Sequence, residues 1–259
     1  MRSMRDAADQ AVDGQRLGGD RQTQHDVLEA LSQCANHRKW FAEFARPYLG
    51  EHPIEIGSGF GDYAKQWIPH AEKFTATEAD PALLPGLRAA MAAYPHVTVR
   101  SLLLPTDERA DHSCLICYNV LEHIDDHIGA LRSMAGLVRP DGYIVLVCPA
   151  FPFAMSPVDI ATGHVRRYTR RSMTRALAAA GLDVVDVRYA NSLGLIGYYA
   201  FTSVLKRQPR MGGTMNFYDQ LIVPVVQFAE RLAGRPPFGQ SVVAVGRVRD
   251  EADHAAEDQ

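Results

Sequence analysis

The sequence predicts an α/β fold: one doubly wound, mainly parallel sheet with helices on both faces. Three observations predict it. Short apolar runs that read as strands alternate with helical stretches from residue 53 to residue 190. The run Tyr143–Cys148 is almost wholly apolar, as expected of a strand buried on both faces. The first run leads directly into Gly57-Ser58-Gly59-Phe60-Gly61, a glycine turn of the kind that brings backbone close to a ligand.

The elements follow in order. Residues 1–22 are polar and read as a mobile arm. From His25 to Tyr48, Val27, Leu28 and Leu31, then Trp40, Phe41 and Phe44, recur at helical spacing, and Pro47 and Gly50 end the helices. Strands are expected at Pro53–Ile56, Phe74–Thr77, Val97–Val99, Ser113–Tyr118, Tyr143–Cys148, Val184–Tyr189 and Ser241–Val248. Helices are expected over Asp62–Ile68, from Pro81 onward, over Asp125–Val138 and from Thr169 to Ala180. The first strand is short, and Arg139-Pro140-Asp141-Gly142 reads as the stretch that ends the helix Asp125–Val138. Residues 191–240 are too many for a loop without structure; apolar stretches at Leu193–Leu205 and Phe217–Leu232 imply a helical insert before the last strand. The organisation expected is one domain over residues 23–248, with an acidic tail at 249–259.

Composition narrows the function. The chain has 259 residues, 47% of them hydrophobic, and a formal net charge of -3. A nucleic-acid binder would show a clustered basic excess, so none is expected. Three of the four cysteines fall in strand-like runs, which argues against a disulfide framework and for a reducing cytoplasm. No run approaches the about 20 apolar residues of a membrane span, so no integral membrane contact is expected.

The glycine turn lacks the third glycine of a dinucleotide-binding fingerprint, because Asp62 stands there. That disfavours a nicotinamide oxidoreductase. Instead Glu55 precedes the first glycine by two positions, which suits a ligand carrying an amino group and a sulfonium. Glu78 ends the second strand, where a carboxylate can accept hydrogen bonds from both hydroxyls of a ribose.

Glu55–Gly61, Glu78 and Asn119-Val120-Leu121-Glu122-His123-Ile124 together resemble class I S-adenosylmethionine (SAM)-dependent methyltransferases. Asn36-x-x-x-Trp40, Val147-Cys148-Pro149-Ala150 and Asp159-x-x-x-Gly163-His164-x-Arg166-Arg167-Tyr168 narrow the match. The ordered set looks like a bacterial small-molecule subgroup encoded beside, or fused to, glycosyltransferases and natural-product enzymes. The resemblance covers roughly residues 30 to 248. It implies a Rossmann-like, seven-stranded methyltransferase sheet with an N-terminal helical cover. It further implies that Glu55, Gly57, Gly59 and Gly61 hold the methionine end of SAM and Glu78 the ribose. Asn119 would line the cofactor, Leu102 would contact adenine, and His37 and Trp40 would cover the cofactor. Two positions depart from the family: Ser101-Leu102-Leu103-Leu104 lacks the usual adenine-binding aspartate, and His37 stands where a tyrosine is common.

Methyl transfer needs alignment, exclusion of water and, for an oxygen acceptor, removal of a proton. His164, in the long connection after the fifth strand, is the candidate base, with His123 and Asp159 beside it as candidates. His164 also reads as a loop tie to Asp159. Glu122 and His123 could ligate a divalent metal, but spacing nominates no third ligand and no metal is assigned. Arg166, Arg167, Arg170 and Arg171 form a basic run; Arg167 and Tyr168 are candidate substrate contacts. Tyr198 and Tyr199 in the insert, with Phe201, Phe217 and Tyr218, are either packing or a lid over a hydrophobic acceptor. The partners expected are a small hydrophobic acceptor and, in a homodimer, a second copy. The alternative is a SAM-binding scaffold or cyclase without methyl transfer.

Overall fold

The computed structural model describes residues 18–200 and 216–250. Most of the expected N-terminal arm, residues 201–215 of the insert with Phe201, and nearly all of the acidic tail lie outside the described residues.

Seven strands form one sheet: β1 (Ile54–Ile56), β2 (Phe74–Glu78), β3 (Val97–Ser101), β4 (His112–Tyr118), β5 (Val138–Pro149), β6 (Asp183–Ala190) and β7 (Ser241–Arg247). Their order is β3-β2-β1-β4-β5-β7-β6. All neighbours are parallel except β7, which runs antiparallel to both β5 and β6. The order reverses between β1 and β4, so a crevice opens beyond their carboxyl ends, where open α/β sheets bind ligands.

Strand alternation sorts the core into two layers. Leu115 and Cys117 of β4, with Ile144, Leu146 and Cys148 of β5, face α5 (His127–Gly136) and α7 (Arg170–Ala179). Cys114, Ile116, Val145 and Val147 face the other way, onto α2 (Ala35–Ala45), α3 (Ala64–Trp67), α4 (Leu84–Met91) and α9 (Val223–Ala233). Truncating one such side chain, Leu115 for instance, costs about 2–5 kcal/mol in a close-packed core. All four cysteines are buried and free.

Helix starts follow local capping chemistry. Asp126 accepts from the Gly129 amide to start α5, and Thr169 with Ser172 forms a capping box on α7. The first helix, α1 (Arg21–Ser32), begins inside the stretch read as an arm, because Asp20 caps it through the Thr23 amide at 2.8 Å. A further helix, α6 (Pro157–Thr162), lies in the connection after β5, and α8 (Ser192–Tyr199) opens the insert. Strand β5 starts at Val138, earlier than its apolar run. Arg139–Gly142 is held in the strand, with Asp141 at φ +63°, while the preceding helix stops at Gly136.

The insert is anchored to the body. Asp219, in a π-helical turn Tyr218–Ile222, accepts the backbone amides of Asn36 (3.0 Å) and His37 (2.8 Å), so it caps α2 from far along the chain. Tyr218 donates to the Asn191 side chain at 2.6 Å. Among the described residues, no helix is long and apolar enough to cross a membrane.

Candidate functional site

Two clusters of unspent polar chemistry sit at the carboxyl edge of the sheet. The first surrounds the turn after β1. Gly57, Gly59 and Gly61 have φ of +71°, +54° and +77°, a region that side chains strain. At Gly57 a Cβ would meet Val120 Cγ2 at 2.5 Å; at Gly59 it would point toward Leu28 of α1 at 3.6 Å. The burden at Gly59 is therefore conformational, and the neighbour across it is a helix. Helix α1 lies over this turn, with the His25 and Phe60 rings 5.4 Å apart edge to face. Its N-terminal end is tied to α6, where Asp20 N donates to the Ala161 carbonyl and Gln24 Nε2 to that of Thr162.

Glu55 is 3% exposed, and its Oε2, like Ser58 Oγ, has no hydrogen-bond partner among the described residues. Burial pushes the Glu55 carboxyl up to about 8. Glu78 ends β2 beside the turn: its Oε2 accepts the Gly59 amide at 2.8 Å and its Oε1 the Asp80 amide at 2.9 Å. Burial raises this carboxyl too, against the lowering effect of those amides. Asn119 stands exposed at the tip of β4 with φ +54°, and Leu102 is buried just after β3. His37 stacks on Phe41 at 4.0 Å, and burial pushes its imidazole down to about 4. Trp40 is buried against Phe41 and Phe44 in the core beneath α2.

The second cluster follows β5. The chain from Gly163 to Tyr168 folds back over the sheet edge: Val165 N donates to the Glu122 carbonyl and Tyr168 N to that of Pro149. Asp159 is the hub. Ser156 N and Oγ donate to its Oδ2 at 2.7 Å, and Tyr198 OH donates at 2.8 Å. Arg167 grips both oxygens at 2.8 and 3.0 Å and also bonds the Ala150 carbonyl. His164 Nδ1 lies 2.7 Å from Oδ1. Burial alone would raise Asp159, but the His164 hydrogen bond and the Arg167 charge hold it well below the usual carboxylate range. With Nδ1 engaged, His164 directs Nε2 toward Glu122, 3.9 Å from Oε1. His123 packs its ring against that of His164 at 4.6 Å and 84°.

The structure thus brings His164, His123 and Asp159, the three candidates for proton handling, into one cluster and adds Glu122 to them. Arg167 is buried and spent on Asp159, while Tyr168 is buried with its OH 3.0 Å from His127 Nδ1. Tyr198 is part of the Asp159 network, its ring also lying under Arg167 at 4.8 Å. Tyr199 is 40% exposed beside Phe153. Arg166 bonds the carbonyls of Ile124 and Asp125, pinning the loop after β4. Sequence reasoning missed Ser156, although Ser156-Pro157-Val158-Asp159 is a capping-box pattern and the structure forms the box. It also missed Asp219, which no local signal marks.

A family model described as a methyltransferase domain matches residues 25–187. No curated protein matches the chain. Among solved structures, a chain of the complex between the Haloferax volcanii Trm112 methyltransferase activator and a methyltransferase superposes with TM-score 0.59 at 14% identity, covering 87% of this chain and 96% of that one. A SAM-dependent methyltransferase from Mesorhizobium loti gives 0.54 at 16% identity, over 81% and 97% of the two chains. Geranyl diphosphate C-methyltransferase from Streptomyces coelicolor A3(2), with Mg2+, geranyl diphosphate and S-adenosyl-L-homocysteine, gives 0.56 at 13%, over 80% and 76%.

Proposed function

Because the chain belongs to the methyltransferase-domain family, matched over residues 25–187, we propose that it transfers a methyl group from SAM to an oxygen of a small, hydrophobic molecule. The observation that carries the reading is the buried carboxyl of Glu55, one oxygen of which has no hydrogen-bond partner among the described residues, set against a left-handed glycine turn. The residues there fit the cofactor. Glu55 and Ser58 would meet its amino-acid end with acceptor and hydroxyl atoms left over from the fold, beside a turn whose glycines carry no side chain to obstruct it. Glu78 would take the ribose hydroxyls, since each of its oxygens accepts only one amide and keeps capacity for another donor. Asn119 would face the cofactor from β4, Leu102 would meet the adenine, and His37 and Trp40 would support the cover from α2.

When bound, SAM supplies a methyl group already made electrophilic by its sulfonium. The protein's own task is to align the acceptor, exclude water and deal with the acceptor's proton. That proton falls to the Asp159–His164 pair, with His123 and Glu122 beside it. Asp159 positions: its charge is balanced by Arg167, and it fixes the His164 ring so that Nε2 faces inward. Arg167 and Tyr168 serve the acceptor side by holding this frame rigid. Tyr198 and Tyr199, with exposed Ile196 of the insert and exposed Phe153 from the connection after β5, form the wall for a hydrophobic acceptor.

Calorimetric titration of the folded chain with SAM, followed by incubation of the chain and SAM with small-molecule extracts, tests the reading. We expect SAM binding and one compound heavier by a methylene, about 14 Da, because only chemistry distinguishes acceptors on a shared fold. Absence of SAM binding would refute methyl transfer; binding without any methylated product would favour the scaffold or cyclase reading.

A further inference from the structure

Glu122 is the least satisfied charged group in the acceptor-side cluster. It is fully buried, and neither carboxylate oxygen has a hydrogen-bond partner among the described residues. The Cys148 thiol beside it is at best a weak donor. A buried carboxylate without donors is costly unless it is protonated or ligates a cation. Asp159, by contrast, is already neutralised by Arg167 and has both oxygens engaged.

Two imidazoles converge on the orphaned group. One atom each from Glu122, His123 and His164 lie within 4.8 Å of one another. Three atoms so spaced can share a centre within about 2.8 Å of each, roughly 0.6–0.8 Å outside ordinary metal–ligand distances of about 2.0–2.2 Å. Binding would draw the three side chains inward by that amount. The tautomer is set for ligation as well: Asp159 holds Nδ1 of His164 at 2.7 Å, which leaves Nε2 with its lone pair turned inward. A carboxylate behind a ligating imidazole is the usual support of a metal site.

We propose that Glu122, His123 and His164 form a binding site for a divalent transition-metal cation, with Asp159 as the support of His164. Two imidazoles and one carboxylate suit Zn2+ and its neighbours in the first transition row better than Mg2+. Three protein ligands leave at least one coordination position open. The proposal rests on the methyl-transfer reading only for what fills that position: an oxygen of the acceptor, whose O–H proton passes to solvent once a cation holds the oxygen. On this proposal His164 is a ligand in place of the proton-accepting role given to it above, and the loss of the proton follows from the cation's charge.

The test is calorimetric titration of the metal-stripped full chain with Zn2+, without SAM, repeated with Mg2+. We expect one Zn2+ per chain, bound more tightly than Mg2+, with a rise in Tm. Glu122→Gln keeps the shape of a side chain that no donor holds. It should lower Zn2+ affinity by more than the roughly 10–100-fold that follows loss of a ligand's supporting partner, and abolish the rise in Tm. His123→Gln reads the same ligand set should Glu122→Gln fail to fold. Absence of stoichiometric Zn2+ uptake by the wild type would overturn the site. So would variants that bind Zn2+ as the wild type does, since Glu122 would then be a protonated buried acid. A SAM titration on the same sample separates the two ideas: SAM binding without metal refutes the cation site alone, and metal without SAM refutes methyl transfer alone.

Discussion

With Glu55 at the proposed amino-acid end of SAM, its carboxyl should make cofactor affinity depend on pH. Burial raises it from an ordinary 4.5 to about 8, so in the empty protein at pH 7 only about one molecule in ten carries the charge. A cationic amine placed beside it favours the charged form, so binding lowers its pKa and releases a proton. The sign follows: affinity for SAM rises with pH up to about 8. From pH 8 to pH 6 the ionised fraction falls from about one half to about one in a hundred. SAM should therefore bind roughly 50-fold more weakly at pH 6, each full pH unit being about 1.36 kcal/mol. Fold stability moves the opposite way: the empty chain draws most support from Glu55 below the unfolded value of 4.5 and loses it as pH climbs through about 8. Calorimetry from pH 6 to 8, in two buffers of different ionisation enthalpy, reads both the affinity and a proton release approaching one per SAM at pH 7. The ligand's own amine discharges on the alkaline side, so the acidic limb is diagnostic. Glu55→Gln should flatten that limb. Equal affinity at pH 6 and pH 8, or an unchanged slope in Glu55→Gln, would refute the assignment.

Three further outcomes are expected. Glu78→Gln should weaken SAM binding by about 1.5–3 kcal/mol, the scale of hydrogen bonds to a charged group, in a calorimetric titration; unchanged affinity would remove the ribose from Glu78. His164→Ala should cut turnover by roughly 10²–10⁴ while SAM affinity holds, because the residue lies on the acceptor side; full turnover at saturating acceptor would leave it a loop tie to Asp159. Asp219→Ala should cost about 0.5–2 kcal/mol in urea unfolding, the worth of a helix N-terminal cap, since the Asn36 and His37 amides lose their acceptor; unaltered stability would mean that water replaces Asp219 without loss.

What the sequence made legible is what depends on near neighbours. The strand β4 and the apolar part of β5 announce themselves because both of their faces are buried, and the glycine turn because three left-handed positions need glycine. Arg139–Gly142 misled for the same reason: Pro140-Asp141-Gly142 is turn chemistry, yet the Asp141 and Val248 amides pair with carbonyls across the β5–β7 ladder and hold the stretch in a strand. The antiparallel placement of β7 has no local mark, because it follows from a connection of some fifty residues. In the second cluster, His164 and Asp159 are five residues apart and readable as a pair. Tyr198 joins Asp159 from 39 residues away, and Asp219 reaches α2 from 183 away, so neither partnership has a spacing rule. Glu122 was visible as a residue, but its burial without donors was not.

The two clusters differ in how their charge is balanced, and that difference assigns their roles. At the glycine turn, burial raises both Glu55 and Glu78, and the Glu78 charge raises Glu55 further. A cationic ligand such as an amino acid sulfonium would favour the charged form of both. Across the edge, Asp159 is locked by Arg167, Ser156 and Tyr198 and sits far below neutrality in its titration, so it cannot take a proton near pH 7. On the proposed reading its work is geometric, carried to the reaction through His164 Nδ1. The charge left unbalanced on that side belongs to Glu122, which places the demand for a positive partner next to the His164 Nε2 that Asp159 has freed.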